Sequence, residues 1–221
     1  MSALGKARKI GLFGGTFDPV HKGHLAVAKG VLDRYGLDEV LFIPAPRPPH
    51  KGNPQTDFYH RVAMLEAVLV NEPKMSISMI EAERLTPSYT FDTLVELRKR
   101  VGDHRYHLIV GADSFIEIHL WYRYQELCTL TDMIIAARPG IELVRVAEQV
   151  SRLPGRFVYD AEEQVWTRDD GFRIYYFSAI HVDLSSSEIR HRLLSGKEVN
   201  DLLPVEVLNY INSHQLYAGS L

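Results

Sequence analysis

His21 and His24 lie three residues apart in the stretch Gly14–His24, GGTFDPVHKGH. The apolar run Lys9–Phe13 before it reads as a strand. After it, Leu25, Ala28, Val31, Leu32 and Tyr35 recur at helical spacing. The stretch is therefore the turn from a first strand into a first helix. Gly14 and Gly15 let the backbone come close to a ligand. A helix N-terminus offers unpaired N–H groups and the positive end of its dipole, which together favour phosphate. The pattern is neither GxGxxG nor a P-loop, because no GxxxxGK[ST] occurs in the chain. A Gly-Gly turn with an Asp-Pro step can also be a plain connection, and one histidine there would read as a cap. Two histidines, two glycines, Thr16 and Asp18 in one turn point instead to phosphate chemistry.

A second phosphate-handling candidate is Ser185–Arg190, SSSEIR. Ser185 with Glu188 three residues on fits a capping box that starts a helix through about Leu194. Ser186 and Ser187 add hydroxyls, and Arg190 can fork onto phosphate oxygens. Read alone, Ser185 is a cap and Arg190 a surface charge; a cap and an anion site can coincide. The proline-rich loop Pro44–Gln55 carries Arg47, His50 and Lys51, which suit a further phosphate or, equally, a solvated loop.

The elements that must position these groups follow from periodicity and punctuation. Strands are expected at Lys9–Phe13, Val40–Ile43, Met75–Ile80, Tyr106–Val110, Met133–Ala137 and Phe172–Phe177. Helices are expected over Leu25–Tyr35, from Asp57 as N-cap to about Val70, Phe91–Val101, Ser114–Leu127 with a break near Trp121, Ile141–Leu153, Ser185–Leu194 and beyond Pro204. Pro154–Gly171 is charged and mixed and is expected to be a surface excursion. Alternating strands and helices predict an α/β fold, a doubly wound, mostly parallel sheet with C-terminal helices. In such sheets ligands sit beyond the carboxyl ends of the strands. The unusual residues fall there repeatedly: the Gly14 turn, PPHK, PSYT, GAD, RPG and SSSEIR each follow a strand.

Composition bounds the rest. The 221 residues suit a single domain, 1–221, with a variable excursion around 141–171, and 46% apolar content supplies a core. With 25 Lys and Arg against 28 Asp and Glu, no basic excess points to nucleic acid. Cys128 is the one cysteine; it excludes an internal disulfide and CxxC metal motifs, suits a reducing cytoplasm, and is expected to be buried. No apolar run is long enough to span a bilayer.

The string GGTFDPVHKGH resembles the signature of the (H/T)xGH nucleotidyltransferase superfamily, and its lead-in resembles the bacterial nicotinate mononucleotide adenylyltransferase branch. SSSEIR resembles the second signature of that family, with Ser187 where Thr is common. PPHK, PSYTFDTL, GADSF, the Trp121 region and RPG follow in the same order, covering most of the chain except Ile141–Gly171. The resemblance implies a Rossmann-like nucleotidyltransferase fold and adenylyl transfer from ATP to nicotinate mononucleotide, with Mg²⁺ bound on the triphosphate and no protein-held metal. It implies His24, His21 and Arg190 as catalytic groups. Gly14, Gly15, Thr16, Phe17, Gly111, Asp113, Ser186 and Ser187 would join them around ATP. His50, Lys51, Tyr89, Thr90, Trp121 and Arg138 would take the mononucleotide. On residue type alone, Tyr89, Asp113 and Trp121 would be structural.

Three alternatives compete. A sister enzyme would use the nicotinamide mononucleotide or pantetheine phosphate, although the pantetheine enzymes typically lack PSYTFDTL and the Trp121 region. A non-catalytic nucleotide-binding regulator would be marked by loss of His24 or Arg190, and both are present. A metal hydrolase built on His21 and His24 lacks the third ligand usual for catalytic zinc. Oligomeric state is not legible in the sequence.

Overall fold

The computed structural model describes residues 7–47, 54–84, 88–102, 104–180 and 184–218. The elements are β1 (Lys9–Gly15), α1 (Lys22–Tyr35), β2 (Glu39–Pro44), α2 (Phe58–Leu69), β3 (Met75–Ile77), α3 (Thr90–Val101), β4 (Arg105–Gly111), α4 (Ala112–Phe115), α5 (Tyr124–Leu130), β5 (Asp132–Ala136), α6 (Leu143–Ser151), β6 (Phe157–Asp160), β7 (Val165–Arg168), β8 (Arg173–Phe177), α7 (Ser186–Leu194) and α8 (Val205–Ser213). All the strands share one sheet in the order β3-β2-β1-β4-β5-β8-β7-β6. β1 to β5 and β8 run parallel, whereas β6 and β7 are antiparallel. Strand order reverses between β1 and β4, the switch point where an open α/β sheet leaves a crevice.

Side-chain alternation along the strands divides the core into two layers. Leu108 and Val110 on β4, with Met133 and Ile135 on β5, face Leu94, Phe115, Leu127 and Val146 of α3 to α6. Ile109 and Ile134 face the other way, towards Val31, Leu65, Ile189 and Val207 of α1, α2, α7 and α8. Both sheet faces are covered, as the parallel strands require. Cys128 is buried in the first layer, where burial pushes its thiol up to about 11. Among the described residues, no helix is long and apolar enough to cross a membrane.

Three segments carry detail beyond expectation. The Pro154–Gly171 stretch, expected as a surface excursion, is largely exposed from Val158 to Glu163 but carries two strands. Its β6–β7 hairpin turns where Asp160 Oδ1 accepts from the N–H groups of Glu162 and Glu163, and it extends the sheet beyond β8. Arg168 anchors it, donating to the carbonyls of Pro154 and Cys128. The helix expected over Ser114–Leu127 breaks near Trp121 as expected, and it is divided further into α4, a 3-10 turn at Ile118–Leu120 and α5. Trp121 is extended and Arg123 left-handed (φ 52°), which ends any continuous helix there; the Arg123 guanidinium lies 3.9 Å from the Phe91 ring centroid. The third strand stops at Ile77 instead of Ile80, where Ser78 Oγ accepts from the Ile80 N–H and turns the chain.

Candidate active site

Helix α1 begins with a reciprocal cap made by the two signature histidines. His21 Nδ1 accepts from the His24 N–H, and His24 Nδ1 accepts from the His21 N–H. An accepting Nδ1 places the proton of the neutral ring on Nε2, so the cap sets both tautomers. The rings stack with centroids 3.7 Å apart. His21 is buried at 1% exposure, and its pKa is lowered to about 3 by burial first and by the charge of Arg138 second. His24 is half-buried. The structure thus separates the two histidines: His21 is a buried neutral support, and His24 is only partly buried.

The turn before this cap is packed from below. Phe17, at φ 50° and 2% exposure, sets its ring against Phe13, Phe42 and His24. A Cβ on Gly15 would stand 2.9 Å from that ring, so Gly15 is the residue that lets Phe17 fold under the turn. A Cβ on Gly14 would meet nothing within 4 Å, leaving the upper side of the turn open. Phe17, expected among the ATP-lining residues, therefore shapes the turn from beneath instead of lining it with its side chain.

Helix α7 docks its first turn on this loop. Arg190 Nη1 donates to the Asp18 carbonyl at 2.7 Å, and Ser186 Oγ donates to the Pro19 carbonyl at 3.0 Å. Arg190 Nη2 reaches Ser187 Oγ at 3.2 Å, and Ser185 caps α7 by accepting from the Glu188 N–H. Two candidate phosphate sites far apart in sequence are thereby one site in space. The adjoining crevice is lined by Phe13, Gly23, His24, Val27, Gly111, Ala136, Ala137, Arg138 and Ile180, at the carboxyl ends of β1, β4 and β5. Gly111 lines it, and the Asp113 carboxylate lies directly beside Gly111. Arg138, expected at the mononucleotide, lies beside His24 and Gly111, 3.7 Å from Asp113 Oδ1, and donates to the Leu184 carbonyl.

The other expected residues form a second cluster. Tyr89 is the N-cap residue of α3 and Thr90 its first residue. The Tyr89 ring packs on Tyr122 at 4.8 Å. Trp121, next in the chain, is partly buried against the core. His50 and Lys51 lie outside the described residues.

Sequence reasoning missed two groups beneath the catalytic turn. Arg61, 1% exposed, donates from its guanidinium to the carbonyls of Thr16, Ala45, Pro46 and Thr56. Tyr217 donates to Asp18 Oδ1 at 2.6 Å, while Asp18 Oδ2 accepts from the Gln55 N–H. Burial first, then the Asp18 carboxylate, hold the Tyr217 hydroxyl far above the usual phenol range, so it stays a donor. A signal for Arg61 existed, since it shares the apolar stripe of α2 with Leu65, one turn on. No local signal marked Tyr217.

Residues 12–192 match the cytidylyltransferase-like family profile. A curated relative from Geobacter sulfurreducens, named "Probable nicotinate-nucleotide adenylyltransferase", is 35% identical over 95% of this chain and 98% of its own. A relative of the same name from Trichlorobacter lovleyi is 37% identical over 95% of this chain and 99% of its own. Among solved structures, the Plasmodium falciparum nicotinic acid mononucleotide adenylyltransferase complexed with NaAD superposes with a TM-score of 0.75. That match has 19% identity, covers 95% of this chain and 97% of the other, and speaks to the fold.

Proposed function

The chain belongs to the cytidylyltransferase-like family and, within it, to the nicotinate-nucleotide adenylyltransferases, and on that premise we propose how its site transfers the adenylyl group of ATP to nicotinate mononucleotide. The products are nicotinate adenine dinucleotide and pyrophosphate, a step of NAD biosynthesis. The observation that carries the reading is the docking of α7 on the catalytic turn through Arg190 and Ser186. It brings the N-terminal turn of α7 against the turn that leads into α1, and two such helix N-termini suit a triphosphate.

The mononucleotide phosphate is already anionic at neutral pH and needs no side-chain nucleophile. One of its oxygens bonds to the α-phosphorus of ATP. The bond from that phosphorus to the bridging oxygen breaks, and pyrophosphate departs with the electron pair. Alignment and charge neutralisation then supply the catalysis. His24 offers its Nε2–H to the reacting phosphates, and Arg190 and Arg138 offset charge building on the leaving group. Ser186, Ser187 and the open backbone at Gly14 hold the phosphate chain, and Gly111 and Asp113 stand beside the nucleoside. Among the described residues no three His, Cys, Asp or Glu side chains form a metal cluster. Mg²⁺ would be carried on the ATP phosphates, where it would neutralise charge. For the mononucleotide, the N-terminus of α3 at Tyr89 and Thr90 suits the nicotinate carboxylate, Trp121 offers a ring face, and His50 and Lys51 would meet the phosphate.

The test is pyrophosphate release from ATP and Mg²⁺, with the acid and amide mononucleotides and pantetheine phosphate in parallel arms. Release with the acid and little elsewhere is expected. Equal release with the amide would discard the carboxylate argument. Release only with pantetheine phosphate would overturn the substrate.

A further inference from the structure

We infer that Arg61 and Tyr217, which lie outside every motif, are positioning residues for adenylyl transfer, holding the catalytic turn in register with the loop that follows β2. The inference rests on the reading of that turn as the ATP phosphate site. Arg61 emits its N–H groups to Thr16 at 2.5 Å, Ala45 at 2.9 Å, Thr56 at 3.3 Å and Pro46 at 3.4 Å. These carbonyls sit in irregular backbone with no strand or helix to satisfy them, and one planar guanidinium with five donors serves all of them. The segments it ties differ in role. Thr16 belongs to the ATP turn, and Ala45 and Pro46 lead towards His50 and Lys51.

Asp18 carries the opposing charge and joins three further segments. Its carboxylate takes the Tyr217 hydroxyl at 2.6 Å and the Gln55 N–H at 2.9 Å, and its carbonyl takes Arg190 at 2.7 Å. The C-terminal segment reaches Asp18 in an unusual shape, with Gln215 at φ 51° and Tyr217 at φ 56°. Left-handed non-glycine residues persist where surrounding contacts hold them, and such outliers gather at functional sites. The frame therefore fixes the catalytic turn at Thr16 and Asp18 against Ala45 and Pro46 and against the C-terminal segment. In a reaction that relies on alignment, that placement governs turnover more than affinity.

The experiment uses the full chain with Tyr217→Phe, which deletes one hydroxyl, and Arg61→Lys, which keeps charge but loses the fork. Each is assayed for kcat, both KM values and Tm. Tyr217→Phe is expected to keep its Tm within about 3 °C of wild type. Its kcat should fall about 10-fold, with each KM moving less than about threefold, and Arg61→Lys should lose more. A folded Tyr217→Phe with kcat within about twofold of wild type overturns the inference. So does a loss confined to KM. If Arg61→Lys does not fold, Tyr217→Phe decides by itself. A wild-type protein that makes no dinucleotide overturns the functional reading itself, a result distinct from unaffected variants of an active enzyme.

Discussion

At the scale of single residues, His24 combines two duties that mutation can separate. Its Nδ1 closes the α1 cap, and in the proposed mechanism its Nε2 proton serves the reacting phosphates. His24→Ala should lower kcat by about 10²–10³, the usual cost of one donor to developing charge. The lost cap should cost about 1 kcal/mol of stability, leaving the protein folded. Steady-state kinetics beside a urea melt checks both, and turnover within about tenfold of wild type would remove His24 from the mechanism. The pair His21–His24 was legible because caps and turn glycines act over a few residues. Their difference in burial was not, because the burial of His21 comes from the rest of the fold.

At the scale of elements, α1 lies on the end of β8 through Gly30. A Cβ there would collide with the Phe177 ring and stand 2.8 Å from Ile180 Cδ1. Gly30→Ala gains helix propensity of about 1 kcal/mol. It loses more to overpacking, typically about 1–3 kcal/mol, so net destabilisation is expected in urea unfolding. Ile180 also walls the crevice beside His24, so the same variant should raise the KM for ATP. A variant as stable as wild type would show that Phe177 and Ile180 yield freely. The helix α1 was legible from its apolar stripe, whereas the β6–β7 hairpin was not. Its strands are short, and they are ordered by pairing with β8 and by the Arg168 anchor, partners that sequence reading could not assign.

At the scale of the whole molecule, two buried histidines tie stability to pH. His21 is lowered to about 3 by burial and then Arg138. His107 on β4 is lowered to about 4, chiefly by burial, against the opposing pull of Asp132. Both folded values lie below the unfolded value, so the unfolded chain binds protons first as pH falls. Their stabilising effect is complete above about pH 6.5 and is lost as pH falls towards the folded values, at about 1.4 kcal/mol per pH unit for each. Urea unfolding between pH 7.5 and 5 should show that slope, and His107→Gln should reduce it by about half. An unchanged slope in that variant would remove His107 from the account. His107 packs far from the catalytic turn, so ATP affinity should survive the substitution.

The sequence by itself determined the alternation of strands and helices, the strand-end placement of the polar motifs, and the two candidate phosphate turns. These are set by periodicity, caps and turn residues, whose physics is local. Tertiary structure alone decided that Arg138 lies beside His24 and Gly111, that Phe17 and His21 pack beneath the turn, and that Arg61 and Tyr217 bond to it. Each of those placements depends on burial or on a hydrogen bond to a distant carbonyl or carboxylate. An arginine in a helix and a tyrosine near the C-terminus carry no local mark of the backbone they will meet.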